Sequence, residues 1–592
     1  MHTRTIIRPN AYHDSLVLMQ LSTHLQNRPG VRKAVAMMGT EENKASIGDA
    51  ALVTEEVQRA RPNDLFIVVV ADEPEAAEDA IEHAFEYFQK GRTAITTQAV
   101  MYRTLDAAIR ENCAANLVSI SVSGKYAAAE AQRALEAGLH VFLFSDNIPL
   151  DREVELKRYA ASRRLLLMGA DCGTALVSGA AIGFANAVRR GPIGVVGASG
   201  TGIQEVTSLI HRLGSGITHA IGTGSRDVTG TIGGLTLCAV IDWFSRDPDT
   251  AVVVVVSKPY AEPVARRVQE VIERCGKPVV VSMLGGASDD FDRDLVNVVT
   301  TLEDAAILAV ALATDRPPAN IRSMLWDQES VRRLAQRERE RLQPNQQFFR
   351  GLYSGGTFAA EAALILAENL GDLHGNLSMS HVRLPGNPHV SIAHTCIDMG
   401  DDFFTVGRPH PILAPSLRRD RLLQEAADPA TGVILLDIVL GHGAHPNPAE
   451  EFVTFIQEAK QVASDEGRHL PVIVTVCGVD EDPQSRDGQV ERLCQSGAIV
   501  APTNATAARL AVGILTGRVP ETQRLRQQAA VRSEGWAGAP PFDLPDQVNV
   551  INIGLLAFAD SLRSQKVPVT HVDFAPPAGG DEAIADLLAD ML

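Results

Sequence analysis

Residues 191–202 read Gly-Pro-Ile-Gly-Val-Val-Gly-Ala-Ser-Gly-Thr-Gly, a short apolar run that stops at a glycine-rich bend. Apolar residues then recur at helical spacing: Ile203, Val206, Ile210 and Leu213. This change of period predicts a β-strand over 193–196 that leads through the bend into an α-helix. A unit of strand, bend and helix is typical of an α/β fold.

The bend has the composition of an anion-binding loop. Glycines let the backbone approach a ligand closely, and the first N–H groups of a helix have no partner within the helix. These donors and the helix dipole favour a phosphate, for which Gly197, Ser199, Gly200 and Thr201 are the candidate ligands. In the simpler alternative, Ser199 or Thr201 only caps the helix. The chain has no P-loop motif and the bend lacks the dinucleotide fingerprint, which disfavours P-loop and NAD sites.

The composition is typical of a cytoplasmic globular enzyme. A chain of 592 residues predicts roughly three to five domains. The net charge of -18 argues against nucleic acid as a partner. Seven cysteines without a Cys-x-x-Cys motif predict a reducing compartment, no disulfides and no metal site. The apolar runs are shorter than the ~20 residues of a membrane-spanning helix, so no membrane association is expected.

The order of predicted strands and helices divides the chain into units. Residues 1–92 alternate between strand and helix, which predicts a small α+β, ferredoxin-like domain. The regular alternation that follows predicts several Rossmann-like or flavodoxin-like parallel sheets covered on both faces. The predicted units are a Rossmann domain over 93–190, a flavodoxin-like domain over 191–314, a solvated linker helix over 315–350, a second flavodoxin-like domain over 351–518 and a βαβ-like unit over 519–592.

A second apolar strand leads into a glycine bend at residues 435–446, which read Leu-Leu-Asp-Ile-Val-Leu-Gly-His-Gly-Ala-His-Pro. We expect a helix to begin near Ala444, with donors from Gly441, Gly443 and Ala444. Ligands of open α/β sheets bind beyond the carboxyl ends of the strands. The two bends therefore predict one anion held between two helix N-termini.

The order of several segments resembles known proteins. Gly169-Ala170-Asp171-Cys172-Gly173, residues 191–202, Gly222-Thr223-Gly224, residues 244–250 and residues 277–280 follow one another as in the α subunit of succinyl-CoA synthetase. Residues 397–400 and 435–446 are similar to the carboxyl-terminal domain of its β subunit. One chain that joins these pieces, with residues 10–15 ahead and residues 576–581 behind, resembles the FdrA family. The resemblance covers nearly the whole chain and implies domains of succinyl-CoA synthetase type.

The chain departs from succinyl-CoA synthetases in three respects. Those enzymes carry phosphate on a histidine in the loop after the strand matched by residues 279–283, whereas this chain has no histidine between His219 and His374. The glycine loop that grips CoA has no counterpart before Leu105, which disfavours CoA binding. No ATP-grasp domain fits into the linker. A phosphohistidine relay at that loop is excluded, and ATP, if used, binds to another chain.

The resemblance to FdrA proteins implies a subunit of oxamate carbamoyltransferase, a multisubunit enzyme that converts oxalurate and phosphate into oxamate and carbamoyl phosphate. Its ligands would be a small-molecule substrate with phosphate or carbamoyl phosphate, and its partners the other subunits. Two alternatives stay open: an NDP-forming acyl-CoA synthetase that works with an ATP-grasp partner, and a noncatalytic scaffold. The sequence does not decide whether the chain forms a homo-oligomer.

Three side chains are candidates for catalysis. His410 and His445 have side chains that titrate near neutrality and are suited to proton transfer, although hydrogen-bonded loop histidines are the simpler interpretation. Arg408 has a guanidinium that suits a carboxylate or phosphate, or else a surface ion pair. Cys172 is a weaker candidate nucleophile, since a small buried residue is equally expected there. For His13, beside the first predicted helix, nothing in the sequence supports a catalytic role.

Overall fold

The computed structural model describes the following residues: 2–9, 11, 15–26, 28–47, 52–62, 64–93, 102–257, 259–285, 291, 296–405, 410–528 and 539–576. These residues form four β-sheets, of three, seven, seven and five strands. The predicted class, parallel α/β domains with a small N-terminal α+β domain, is confirmed.

The N-terminal domain is an antiparallel sheet with helices. Its elements are β1 (His2–Arg8), α1 (Ser15–Gln26), β2 (Val31–Met38), α2 (Glu41–Ser46), α3 (Glu55–Arg59), β3 (Leu65–Ala71) and α4 (Pro74–Thr93). The strand order is β1-β3-β2, and both pairings are antiparallel. The central strand β3 is buried along its whole length, as its unbroken apolar sequence predicts.

A parallel sheet begins after residue 102. Its first elements are α5 (Leu105–Glu111), β4 (Leu117–Ile120), α6 (Gly124–Glu136), β5 (His140–Leu143), α7 (Leu150–Ser162) and β6 (Leu167–Met168). A hairpin follows, with strands β7 (Thr174–Val177) and β8 (Ala180–Gly183).

The next elements form the first seven-stranded sheet and its helices. They are β9 (Arg190–Gly197), α8 (Gly200–Arg212), β10 (Ile217–Gly222), α9 (Leu235–Arg246), β11 (Val252–Ser257), α10 (Glu262–Cys275), β12 (Val279–Met283), β13 (Asn297–Val299) and α11 (Leu302–Thr314). The strand order is β13-β12-β11-β9-β10-β7-β8. The hairpin of β7 and β8 therefore belongs to this sheet, because β7 pairs antiparallel with β10. The predicted boundary at residue 190 thus lies about one hairpin too late.

The predicted linker is a packed part of the fold. It contains α12 (Pro318–Arg322) and α13 (Gln328–Arg339). Val331 and Ala335 of α13 are buried in the central core, and Glu338 is buried as well. The prediction of a solvated helix was wrong because the apolar positions of α13 recur at helical spacing and form a buried side, while most of its charges lie on the exposed side.

The second half forms the other seven-stranded sheet. Its elements are β14 (Phe348–Tyr353), α14 (Gly356–Leu370), β15 (Leu373–His374), β16 (Val382–Arg383), β17 (His394–Asp398), α15 (Asp402–Thr405), a 3-10 turn (Pro415–Arg418), α16 (Arg419–Ala427), β18 (Thr431–Val439), α17 (Pro448–Asp465), β19 (Val472–Cys477), α18 (Arg486–Gln495), β20 (Ile499–Ala501) and α19 (Asn504–Thr516). The order is β16-β15-β17-β14-β18-β19-β20, and all neighbours are parallel.

The end of the chain returns to the five-stranded sheet. The last elements are β21 (Val550–Ile553), α20 (Leu556–Ser564) and β22 (Val569–Val572). The strand order β22-β21-β4-β5-β6 places β21 beside β4, in parallel. The predicted βαβ unit is thus present, but it completes the Rossmann sheet of residues 102–168 instead of standing alone.

One layer of helices lies between the two seven-stranded sheets. Helices α8 and α11 pack on each other, α14 and α19 pack on each other, and α8 contacts α14. A single hydrophobic core contains residues of all four helices and of strands from both sheets. This shared layer places the N-termini of α8 and α14 together.

Candidate functional site

The N-terminus of α8 carries two free backbone donors. The Ser199 side chain caps the helix, since its Oγ accepts the N–H of Gly202 at 3.1 Å. The N–H groups of Gly200 and Thr201, which lie between the cap and Gly202, have no hydrogen-bond partner within the described residues. Both interpretations of the bend are therefore compatible: Ser199 is the cap, and the donors after it are available to an anion.

The N-terminus of α14 is the counterpart that the sequence analysis missed. The N-cap is Gly355, which has no capping side chain, and the carboxylate of Asp437 bonds the backbone just before the helix. It accepts the N–H of Ser354 at 2.7 Å, the hydroxyl of Ser354 at 2.9 Å and the N–H of Gly355 at 3.0 Å. Asp437 is fully buried and forms an ion pair with buried Arg418 at 3.0 Å. A buried carboxylate of the protein thus lies at the start of α14, bonded to residues that precede the first residue of the helix, Gly356.

The two helix N-termini face each other. The Ser199 Oγ and Thr357 Oγ1 atoms are 2.5 Å apart, and both side chains are buried. A side chain at Gly355 would lie 3.1 Å from the methyl group of Thr201, so only glycine permits this close approach. The positive ends of two helix dipoles therefore meet in one small volume, an arrangement that a negative charge stabilises.

A second carboxylate lies at this place. A side chain at Gly356 would overlap the carboxylate of Asp398, whose Oδ1 accepts the N–H of Gly400 at 2.9 Å. Asp398 and Asp437 both lie at the α14 end. We therefore expect an incoming anion to bind at the α8 end, away from these two negative charges.

His410 lies beside the N-terminus of α14. A side chain at Gly400 would lie 2.5 Å from the carbonyl oxygen of Ser354 and 2.6 Å from His410 Nε2. The imidazole of His410 and the residue before the N-cap of α14 therefore both pack against Gly400. Burial, aided by the positive charge of Arg418, lowers the pKa of His410 to about 4. The Nδ1 atom accepts the N–H of Ile412 at 3.3 Å. His410 is therefore neutral at pH 7, and because Nδ1 accepts a hydrogen bond, the ring proton lies on Nε2, which is a hydrogen-bond donor.

His445 is held by its own loop. Its Nδ1 accepts the N–H of Asn447 at 3.2 Å, and its Nε2 lies 3.1 Å from a carboxylate oxygen of Glu451. Both ring nitrogens have protein partners. The structure supports the simpler interpretation of His445, a hydrogen-bonded loop histidine.

The second glycine bend does not form the predicted helix N-terminus. Helix α17 begins at Pro448, not near Ala444. The N–H of Gly441 donates to Gln484 at 3.0 Å and the N–H of Ala444 to the carbonyl of Gly441 at 3.4 Å. Of the three predicted ligands, only Gly443 has an N–H without a partner in the described part of the chain. The prediction of a second set of free donors here was wrong, because most N–H groups of this loop are bonded to neighbouring segments, those of Gly441, His442 and His445 to Gln484, Ala185 and Ile412.

The remaining candidates from the sequence are Cys172, Arg408 and His13. The thiol of Cys172 is buried, and burial raises its pKa to about 12, so it is not an activated nucleophile. Arg408 and His13 lie outside the described residues. The same holds for residues 286–290 and 292–295, the loop in which succinyl-CoA synthetases carry the phosphohistidine; its sequence, however, contains no histidine.

Comparisons with known proteins agree with this architecture. A family model described as CoA-ligase matches residues 352–514, one described as CoA binding domain matches residues 188–284, and one described as AllF, heavy metal-associated domain, matches residues 1–101. The uncharacterized protein YahF of Escherichia coli strain K12 is 39% identical over 512 residues, which are 86% of this chain and 98% of YahF.

More distant similarity involves named CoA ligases. The α subunit of ADP-forming succinate–CoA ligase from Staphylococcus epidermidis is 30% identical over 190 residues, which are 31% of this chain and 61% of that subunit. The ADP-forming sulfoacetate-CoA ligase subunit SauD of Bilophila wadsworthia is 26% identical over 202 residues, 33% of this chain and 67% of SauD. The dinucleotide-forming acetyl-coenzyme A synthetase 1 of Ca. Korarchaeum cryptofilum aligns at 15% identity and a TM-score of 0.28, over 68% of this chain and 82% of that chain.

The residues of the N-terminal domain do not fit a heavy-metal site. Residues 1–101 contain no cysteine, and the described residues of the whole chain contain no group of three or more His, Cys, Asp or Glu side chains placed to hold a metal ion. Among the described helices, none is both long and apolar enough to span a membrane.

Proposed function

The chain belongs to the FdrA family, with YahF as a relative, and on this premise we propose that it is a subunit of an enzyme of CoA-ligase type that holds a phosphoryl group at the N-terminus of α8. The observation that carries the proposal is the contact between Ser199 and Thr357, which brings two helix N-termini together. Because the carboxylates of Asp398 and Asp437 lie at the α14 end, the free donors of Gly200 and Thr201 are the place for a phosphate.

The same residues would act on a phosphorylated intermediate. Backbone donors that are fixed before the reaction stabilise negative charge as it develops on phosphoryl oxygens. His410, neutral and beside the N-terminus of α14, would donate a hydrogen bond through Nε2 to an oxygen of the bound group. An ATP site would lie in another subunit, since no ATP-grasp domain fits between residues 315 and 350. The succinate–CoA ligase and SauD are themselves named as subunits, which supports a complex.

Carbamoyl transfer is the second candidate, and it is favoured by one observation. The segment between His219 and His374 has no histidine to carry phosphate, so free phosphate or an acyl phosphate would have to react directly. A phosphate oxygen would attack the carbamoyl carbon of oxalurate, and the bond from that carbon to the oxamate nitrogen would break. The attacking phosphate would give up its proton to the departing nitrogen. The products are carbamoyl phosphate and oxamate.

The test uses the chain purified in complex with the subunits encoded beside it. Two assays are run: acyl-CoA formation from ATP, CoA and succinate, and release of carbamoyl phosphate from oxalurate and phosphate. Thr357→Val removes the hydroxyl at nearly constant volume and should lower whichever activity is present, while Thr104→Ala, at the cap of α5, should not.

The two assays separate the candidates. Activity in the CoA assay alone supports the ligase, and activity in the carbamoyl assay alone supports the transferase. If the complex is active but Thr357→Val, Ser199→Ala and Gly200→Val all leave both rates unchanged, the chain is a scaffold and the site proposal is wrong.

A further inference from the structure

A cavity lies outside the α8 and α14 site, where the segment between the two halves meets the chain after α19. Its volume is about 510 Å³, which is in the range of small-molecule sites, about 300–1,000 Å³. One wall comes from α12, α13 and the turn between them, and the other from residues 519–525. None of the residues of the phosphoryl site lines it.

One end of the cavity contains guanidinium groups with unused donors. Arg509 of α19 is buried and donates through Nη1 to Glu303 at 3.1 Å, and its other N–H groups have no partner in the described part of the chain. Arg322 binds both Glu303, at 3.0 Å, and Asp304, at 2.7 Å, so two guanidinium groups balance two buried carboxylates. At the rim, the exposed Arg524 has no ion-pair partner among the residues described.

One acidic side chain also lies at the rim. Asp327 lines the cavity, and its carboxylate is directed to the N-terminus of α13, where it accepts the N–H of Ser330 at 2.8 Å. The partners for an anion are therefore the unused N–H donors of Arg509 and the guanidinium of Arg524. Guanidinium groups with unused N–H donors suit the planar oxygens of a carboxylate or the oxygens of a phosphate ester.

The rest of the wall is apolar. Trp326, Leu325 and Val331 line it from the side of α13, and Val519 and Leu525 from the opposite side. Trp326 and Leu325 are only partly buried, so each still has apolar surface to cover. An apolar body a few carbon atoms long would cover this surface and be stabilised by its removal from water.

We propose that this cavity binds a small organic anion, with its acidic group against Arg509 and Arg524 and its apolar body against Trp326. The site is separate from the phosphoryl site and does not depend on the proposed function. The head group is a carboxylate or a phosphate ester, and competition distinguishes the two.

The probe is 8-anilinonaphthalene-1-sulfonate, an aromatic anion that fluoresces in apolar sites, with uncharged N-phenyl-1-naphthylamine as its partner. Both are titrated against the full chain and three variants. Trp326→Ala should weaken both dyes. Arg524→Ala should weaken only the sulfonate, roughly three- to tenfold. Arg526→Ala, which removes an equal charge two residues away and outside the cavity, should change neither.

Competition then identifies the head group. Hexanoate and hexyl phosphate are used to displace the sulfonate dye, with hexanol as the uncharged control, and the stronger competitor gives the class of anion. The proposal is overturned if Arg524→Ala and Arg526→Ala behave alike, if Trp326→Ala leaves both affinities unchanged, or if hexanol competes as well as the two anions.

Discussion

The carboxylate of Asp437, on β18, bonds both to the guanidinium of Arg418 and to the backbone at the start of α14. One buried side chain therefore joins a strand, a 3-10 turn and a helix N-terminus. Its carboxylate also places a negative charge at the α14 end of the two opposed helix N-termini. The geometry of the site therefore depends on the carboxylate of Asp437, which is buried away from solvent.

Asp437→Asn should strongly destabilise the protein. The change leaves Arg418 as a buried, unpaired cation, which costs about 3–5 kcal/mol. Urea unfolding followed by circular dichroism measures the loss. The control is Glu458→Gln, which breaks the exposed ion pair with Arg419 and should cost less than about 1 kcal/mol. Equal losses in the two variants would show that the buried pair is not important for stability.

Ser199→Ala should separate stability from binding. The variant loses a helix cap, at about 1 kcal/mol, as Thr104→Ala does at α5. Ser199→Ala should also weaken phosphate binding, whereas Thr104→Ala should not. Gly200→Val should weaken it more severely, because both changes at α8 alter the donors at the start of that helix. Calorimetric titration with phosphate measures the affinities. If Thr104→Ala weakens phosphate binding equally, the effect comes from global stability and the site assignment fails.

Gly443→Val should disturb the fold itself. Gly443 has a φ of +79°, and an added side chain would lie 2.9 Å from the ring of Phe184. Gly467→Val, at φ +71° with open space around it, carries only the backbone strain. We expect Gly443→Val to lose clearly more stability than Gly467→Val in thermal unfolding. Similar melting temperatures would mean that the loop moves away from Phe184.

Acid should destabilise the protein through His410. The folded pKa of about 4 lies below the value of about 6.5 in the unfolded chain, so between these values only the unfolded state takes up the proton. The stability present above pH 6.5 is lost as the pH falls towards 4, by up to about 3 kcal/mol. His219, whose burial lowers its pKa to about 4, adds to this.

Unfolding at pH 7 and at pH 4.5 tests this effect. His410→Gln should reduce the difference in the free energy of unfolding between the two pH values, and His83→Gln, at the surface of α4, should leave it unchanged. If the free energy of unfolding differs between the two pH values as much in His410→Gln as in the native chain, other groups cause the pH dependence.

No histidine should become phosphorylated when the complex is given ATP. The loop that would carry the phosphate has no histidine. Incubation with labelled ATP should yield no label that is labile in acid and stable in base. Such a label on any histidine, and on His445 first of all, would restore a relay mechanism. Calorimetric titration with CoA belongs to the same test, and a micromolar affinity would favour the ligase.

The sequence was sufficient to predict most strands, because those buried on both faces are unbroken apolar runs. Strand β14 was not predicted, and the reason is physical. Its sequence contains Arg350, which interrupts the apolar pattern, yet this side chain is buried in ion pairs with Glu425 and Asp428. The partners lie more than seventy residues away in the chain, so nothing local indicated that the charge would be neutralised.

Missing β14 also meant missing the true counterpart of the first bend. The run Ser354-Gly355-Gly356-Thr357 before an alanine-rich helix has the same form as the bend at Ser199 and was visible in the sequence. The bend at Gly441 looked equally suitable. Only the hydrogen bonds of Gly441 and Ala444 in three dimensions distinguish a loop that satisfies itself from one that offers donors.

The pairing of β21 with β4 has a consequence for folding during synthesis of the protein. As the chain leaves the ribosome, β4 and β5 emerge more than four hundred residues before the strand that covers their open edge. During that interval β4 presents an unpaired, apolar edge, the kind of surface that chaperones bind and that promotes aggregation. A message truncated before codon 550 would yield a protein with this edge permanently exposed, although its two seven-stranded sheets are complete.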